Sequence, residues 1–203
     1  MIAMKKIGIL GGTFDPFHNG HMSIGEESIK EVGLDLLILL PANVSPFKVN
    51  REMELEEHRI NMLEEFVSLH PNFKLSKIEI DTDQVSYTYD TMQRLRSIYK
   101  NDKLYFICGS DSLMTVDSWY KGKELLKSTA FIVANRPGFS LDSLKSKIQH
   151  YEDIYGSEIF LLSNPPLNIS STEIKKKLKY GRSIRDMVPK EIEKYIDEYS
   201  LYR

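Results

Sequence analysis

The sequence predicts an α/β protein in which a parallel sheet is covered by helices on both faces. Three observations carry this. Strand-like and helix-like segments alternate almost throughout the chain, the order that builds parallel sheets. The strand candidate at residues 36–40 is apolar without polar alternation, as a strand buried on both faces is. The first strand candidate, residues 6–10, runs straight into Gly11-Gly12 and then into a helical pattern.

In chain order, residues 6–10 form a short apolar run bounded by glycines and give the first strand, and residues 20–32 give a helix. Residues 36–40 are the second strand. The stretch 56–69 carries Ile60, Leu63 and Val67 on one helical stripe and closes before Pro71. Residues 73–80 alternate apolar and polar, which fits an edge or third strand. A helix over 89–99 precedes a strand at 104–108 that ends in Gly109. A short helix around 124–127, a strand at 130–134, a helix over 141–148 and a last strand at 159–162 follow. Helices at 171–180 and 190–199 complete the chain. There is no internal repeat, low-complexity tract or Gly/Ser-rich linker. Pro165-Pro166 is the sharpest break, too late for a second domain, so residues 1–203 are expected to form one domain with a helical C-terminal part from about 166. In such sheets ligands bind beyond the carboxyl ends of the strands, where strand order reverses.

Composition narrows the function. The 203 residues include 27 basic and 29 acidic side chains, a net charge of −2. That balance argues against a nucleic-acid-binding protein, whose affinity rests on lysines and arginines neutralising phosphates, and leaves open small anionic substrates. The single cysteine, Cys108, excludes an intramolecular disulfide framework and multi-cysteine zinc sites, and fits a small buried apolar residue. The most apolar run, residues 34–40, contains Asp35 and stops at Pro41, far short of a membrane span. The opening residues lack the apolar length and cleavage site of a secretory leader. A soluble, cytoplasmic setting is expected.

The chemistry concentrates after the first strand, in Gly11-Gly12-Thr13-Phe14-Asp15-Pro16-Phe17-His18-Asn19-Gly20-His21. Two glycines let the backbone approach a ligand, and the following helix start presents N–H groups and a positive dipole end to an anion. His18 and His21, three apart at a helix start, share one side. Each ring can donate a hydrogen bond to a phosphate, and can take up a proton when the anion binds. The adjacent glycines are not the spacing of a G-x-G-x-x-G turn, and no Gly-Lys-Ser/Thr follows. The remaining histidines, His58, His70 and His150, fall in or beside predicted helices, so no metal site is expected.

This segment resembles the T/H-x-G-H signature of the nucleotidyltransferase superfamily, whose fold is a Rossmann-like parallel sheet with helices on both faces. The second signature of that superfamily is present as Ile169-Ser170-Ser171-Thr172-Glu173-Ile174-Lys175, where Ser171 and Thr172 begin a helix whose hydroxyls and N–H groups suit a polyphosphate. Over its full length the chain is similar to bacterial nicotinate-nucleotide adenylyltransferases. Residues 41–48 (Pro-Ala-Asn-Val-Ser-Pro-Phe-Lys) follow the second strand as that family's substrate loop does. Ser86-Tyr87-Thr88-Tyr89-Asp90-Thr91, Gly109-Ser110-Asp111, Trp119-Tyr120 and Asn135-Arg136-Pro137-Gly138 fall in family order.

The resemblance implies adenylyl transfer from ATP to nicotinate mononucleotide, giving nicotinate adenine dinucleotide and pyrophosphate, with His18 and His21 as catalytic residues and Mg²⁺ arriving with ATP. It places Gly11, Gly12, Thr13, Phe14, Gly20, Gly109, Asp111, Ile169, Ser171, Thr172 and Lys175 at ATP. It places Asn43, Lys48, Tyr87, Thr88, Trp119 and Arg136 at the pyridine nucleotide. A homo-oligomer is possible. The residues by themselves keep alternatives open. Trp119 suits stacking on a pyridine ring, yet a lone loop tryptophan more often packs. Thr88 suits a helix N-cap as well as a substrate hydroxyl. Asp111 suits ribose hydroxyls or plain solvent, and Lys48 a monophosphate or the surface. Two positions depart from the family pattern: Phe47 stands where His is common, and Lys175 where Arg is usual. Lysine keeps the charge but loses the bidentate fork.

Overall fold

The structure, a computed structural model, describes residues 3–42, 56–80, 86–135, 140–164 and 167–203. The strands are β1 (Lys6–Gly12), β2 (Leu36–Pro41), β3 (Phe73–Leu75), β4 (Lys103–Gly109), β5 (Ala130–Ala134) and β6 (Ile159–Leu161). The helices are α1 (Asn19–Val32), α2 (Glu56–Leu69), α3 (Thr88–Ile98), α4 (Ser110–Leu113), α5 (Gly122–Ser128), α6 (Leu141–Tyr155), α7 (Ser171–Lys179) and α8 (Lys190–Glu198), with a 3₁₀ turn at Val116–Ser118 between α4 and α5.

All strand pairs are parallel, in the order β3-β2-β1-β4-β5-β6. The chain leaves β1 toward β3 and returns to β4 on the other side of β1, so the order reverses between β1 and β4. Their carboxyl ends, Gly11-Gly12 and Gly109, flank the crevice where such sheets hold ligands. The sequence explains why the sheet must be covered twice. Along β2, Leu37 and Leu39 join one apolar cluster while Ile38 and Leu40 join the other. The first cluster includes Ile24 of α1, Met62 and Phe66 of α2, Ile174 and Leu178 of α7, and Ile192 and Ile196 of α8. The second includes Met92 of α3, Leu125 of α5, and Leu144 and Tyr151 of α6. The two last helices therefore share the core of α1 and α2.

Most expected elements appear within a residue or two, and the differences have local reasons. The strand expected over 73–80 stops at Leu75, because the chain turns at 77–80, where the Ile80 N–H bonds the Lys77 carbonyl. The alternation beyond that point serves side chains instead: Ile78 packs on the second cluster and Glu79 turns inward. Helix α6 runs on past Ile148 because Tyr151 adds another buried contact, and it stops at Gly156, whose left-handed φ of 64° closes the last turn. Helix α4 and the 3₁₀ turn were not expected. Their signal is Leu113 and Val116, three apart and wholly buried in a polar stretch. The break at 165–166 lies outside the described residues.

Candidate active site

The turn after β1 is held in a conformation that only many contacts can maintain. Phe14 sits at φ 50°, a left-handed value costly for a bulky residue. Its ring is buried against Phe17 and meets the edge of His21 at 5.0 Å. Beneath the turn lies Arg59 of α2, 1% exposed, whose Nη1 donates to the carbonyls of Thr13 (2.7 Å) and Ala42 (3.1 Å). One guanidinium thus joins the loop after β1 to the loop after β2. Sequence reasoning missed this residue.

His18 is the N-cap of α1, and the cap is made by two imidazoles. The His21 backbone N–H donates to Nδ1 of His18, and the His18 backbone N–H donates to Nδ1 of His21, both at 3.3 Å. This is a capping box with histidines in place of the usual hydroxyl and carboxylate. The rings stack 3.7 Å apart, at 20°. Because each Nδ1 accepts a hydrogen bond, each neutral ring carries its proton on Nε2. The cap therefore selects the tautomer: two Nε2–H donors side by side at a helix N-terminus. Gly20 makes the close packing possible. A Cβ there would lie 3.0 Å from the His18 ring and 3.3 Å from the Leu167 carbonyl.

The second signature closes on the first. Ser171, the first residue of α7, donates its hydroxyl to the Pro16 carbonyl at 3.1 Å, while Ser170 caps the helix by accepting from the Glu173 N–H. Thr172 is exposed on the first turn, and Ile169 is partly buried against the core. Lys175, expected to reach phosphate, has its ammonium on the Asp15 carboxylate. Two motifs more than 150 residues apart in sequence thus meet at one place.

Across the crevice, Gly109 ends β4 and Asp111 lies exposed on the first turn of α4. Trp119 follows the 3₁₀ turn, half-buried, with Nε1 donating to the Thr115 hydroxyl at 3.3 Å and its ring edge-on to Phe106 at 6.4 Å. The turn behind it is tight enough to demand glycine: a Cβ on Gly122 would sit 1.8 Å from the Val116 carbonyl oxygen. Asp117 of the same turn bonds Lys147 of α6 at 3.1 Å. Burial pushes the Asp117 carboxyl up, but hydrogen bonds and charge from its neighbours, Lys147 among them, outweigh this and hold it below the usual carboxylate value.

The middle motifs meet as well. The rings of Tyr87 and Tyr120 lie 4.5 Å apart, with Lys121 over Tyr120 and Tyr89. Tyr87, not Thr88, is the N-cap of α3, and its side chain makes no cap bond; Thr88 is the first helical residue. Thr91 donates its hydroxyl to the buried Glu79 carboxylate at 2.7 Å. Burial pushes Glu79 up from its ordinary value, against the opposing effects of that hydrogen bond and Arg94. Asn43, Lys48 and Arg136, and Phe47 beside Lys48, lie outside the described residues. Among the described residues no three His, Cys, Asp or Glu side chains converge to hold a metal ion, and no helix is long and apolar enough to cross a membrane.

Comparisons with known proteins point the same way. The profile of the cytidylyltransferase-like family matches residues 9–177. A Bacillus subtilis (strain 168) protein named nicotinate-nucleotide adenylyltransferase is 37% identical over 199 residues, covering 98% of this chain and 99% of its own. A Thermoanaerobacter sp. (strain X514) protein named probable nicotinate-nucleotide adenylyltransferase is also 37% identical, covering 98% of this chain and 94% of its own. Among solved structures, Plasmodium falciparum nicotinic acid mononucleotide adenylyltransferase complexed with APC superposes with a TM-score of 0.78 at 23% identity, covering 98% of this chain and 97% of that one. That likeness bears on the fold.

Proposed function

The chain belongs to the cytidylyltransferase-like family, on its nicotinate-nucleotide adenylyltransferase branch, and from that premise we propose that it joins ATP and nicotinate mononucleotide into nicotinate adenine dinucleotide. The observation that carries the reading is the meeting of the histidine capping box with the docked N-terminus of α7. A phosphate oxygen of the mononucleotide attacks the α-phosphorus of ATP, forming a new P–O–P bond. The bond from the α-phosphorus to the bridging oxygen of the β-phosphate breaks, and pyrophosphate leaves with that electron pair.

The attacking group is already an anion, so no protein nucleophile is required, and catalysis is positioning plus electrostatic stabilisation. In this reading His18 and His21 present Nε2–H donors to charge developing at the α-phosphate. The tautomer set by the helix cap means that no proton has to move before they act. Gly11, Gly12, Thr13, Phe14 and Gly20 shape the phosphate side, and the α7 start, through Ser171 and Thr172, faces the departing pyrophosphate with N–H groups and the positive end of its dipole. Lys175 adds a point charge there. Gly109, Asp111 and Ile169 attend the adenosine. Trp119, with Tyr87 and Thr88 nearby, takes the pyridine nucleotide, completed by Asn43, Lys48 and Arg136.

A divalent metal accompanies nucleotidyl transfer from ATP, and we take it to be Mg²⁺ entering as part of the substrate. It would neutralise phosphate charge while keeping several of its waters. We further propose that residues 1–203 act as one domain in the cytoplasm. Pyrophosphate release with ATP and nicotinate mononucleotide tests the function, with nicotinamide mononucleotide and phosphopantetheine as parallel acceptors. Release with the first is the expected result. Binding of ATP with no pyrophosphate from any acceptor would end the reading.

A further inference from the structure

Lys175 is not held by its own helix. Its ammonium sits on Oδ2 of Asp15, in the turn three residues before His18, and over the ring of Tyr202 at 5.4 Å. The other carboxylate oxygen of Asp15 accepts from the Tyr202 hydroxyl at 2.8 Å. Asp15 is 4% exposed, so its charge is kept inside the protein with both oxygens engaged. Tyr202 is brought there by a backbone that two non-glycine residues strain, Ser200 at φ 52° and Tyr202 itself at φ 63°. Strained positions of this kind persist only where surrounding contacts impose them. Leu201 between them is buried in the core shared by α7 and α8.

An ammonium has three N–H donors on a flexible stem and no planar fork to set its direction. Here a carboxylate takes one side and an aromatic face another, while about a third of the side chain remains exposed. We propose that Asp15 and Tyr202 are positioning residues for Lys175, aiming its remaining donors at the polyphosphate of the nucleotide. This rests on the function proposed above. Asp15 ties the lysine to the same turn that carries the two histidines, so the pyrophosphate contact and the α-phosphate contacts are set in one frame. Tyr202 fixes the carboxylate from behind and supplies a cation–π surface to the stem's end.

The test is a double-mutant cycle read on ATP. Tyr202→Phe keeps the ring and removes the hydroxyl. It should raise KM for ATP about two- to tenfold, the worth of one hydrogen bond, with KM for the mononucleotide unchanged. Asp15→Asn should do more. In a Lys175→Ala background Tyr202→Phe should have no further effect on ATP, whereas Lys175→Arg should restore ATP use to Tyr202→Phe, since a guanidinium fork orients itself. An ATP effect of Tyr202→Phe that is equal with and without Lys175, or a lowered thermal midpoint with KM for ATP unmoved, would overturn the proposal. Calorimetric binding of a non-hydrolysable ATP analogue repeats the cycle without an acceptor. It can be read even if wild-type protein releases no pyrophosphate with nicotinate mononucleotide, the outcome that would defeat the function itself.

Discussion

The two sides of the crevice are built differently. After β1 the turn is fastened from below and behind: Arg59 holds the Thr13 carbonyl, α7 docks on Pro16, and Asp15 and His18 are nearly inaccessible. After β4, Asp111 is exposed and Trp119 is half-buried, donating to the Thr115 hydroxyl and lying edge-on to Phe106. The first side would face charge that develops during the reaction, where fixed donors count most. The second would face a flat ring and sugar that must enter and leave. On the proposed mechanism, rigidity would sit where the bond changes and access where the substrate exchanges.

The largest expected effect lies on the fastened side. His18→Ala and His21→Ala should each cost about 10²–10³-fold in kcat, as loss of one preorganised donor does. Each should also cost about 1 kcal/mol of stability, because the same ring caps α1. Urea unfolding and steady-state kinetics on the two variants separate these losses. Near-wild-type turnover in either folded variant would remove the histidines from the mechanism.

Arg59→Leu comes next and would test whether the bracing is real. It removes the guanidinium donor from the Thr13 and Ala42 carbonyls, at about 1–3 kcal/mol for each that water cannot reach. The urea midpoint should fall clearly and both KM values should rise together, since one guanidinium serves both loops. A variant of unchanged stability would show that the turn holds itself.

On the accessible side, Trp119→Ala should raise KM for the pyridine nucleotide by an amount corresponding to roughly 1–3 kcal/mol, the scale of a lost stacking partner. KM for ATP and the unfolding midpoint should change little. Equal losses for both substrates would place the indole elsewhere, and global unfolding would show that Trp119 serves the core.

The smallest effect concerns Glu79, the buried partner of Thr91 on α3. Its folded pKa is raised above 4.5, so its contribution favours the folded state below that value and is lost as pH rises through the raised folded pKa. Glu79→Gln cannot titrate and should flatten this part of the stability profile, measured by urea unfolding at pH values on either side of 4.5. Parallel profiles for variant and wild type would mean that Glu79 titrates alike in both states.

Much of this was legible in the sequence, for reasons that differ by residue. Strand periodicity and the histidine spacing are local signals, and β5 and α2 appear where expected. The docking of Ser171 on Pro16 could be anticipated only because both segments carry recognisable motifs. Arg59 could not: in Glu-Glu-His-Arg it reads as the charged face of a surface helix, and only the approach of two strand ends buries it. Tyr202 has no local signal either, since its partners are distant in sequence. Gly122 looks like an ordinary loop glycine until the Val116 carbonyl is placed against it. What sequence pattern conceals is long-range polar contact.

Those long-range contacts also set when the site can exist. Ser171 meets Pro16 across 155 residues, Lys175 meets Asp15 across 160, and Tyr202 meets Asp15 across 187. Contacts of such separation bear a large loop-closure entropy and arrive late in folding. Synthesis makes the histidine turn more than 150 residues before the helix that would complete the proposed phosphate site. Until residues beyond 170 fold back, α1 and the early strands lack the α7 start that the proposed mechanism needs for pyrophosphate. Nucleotide binding should therefore be an all-or-none property of the finished fold, acquired in a single late step rather than accumulated along the nascent chain.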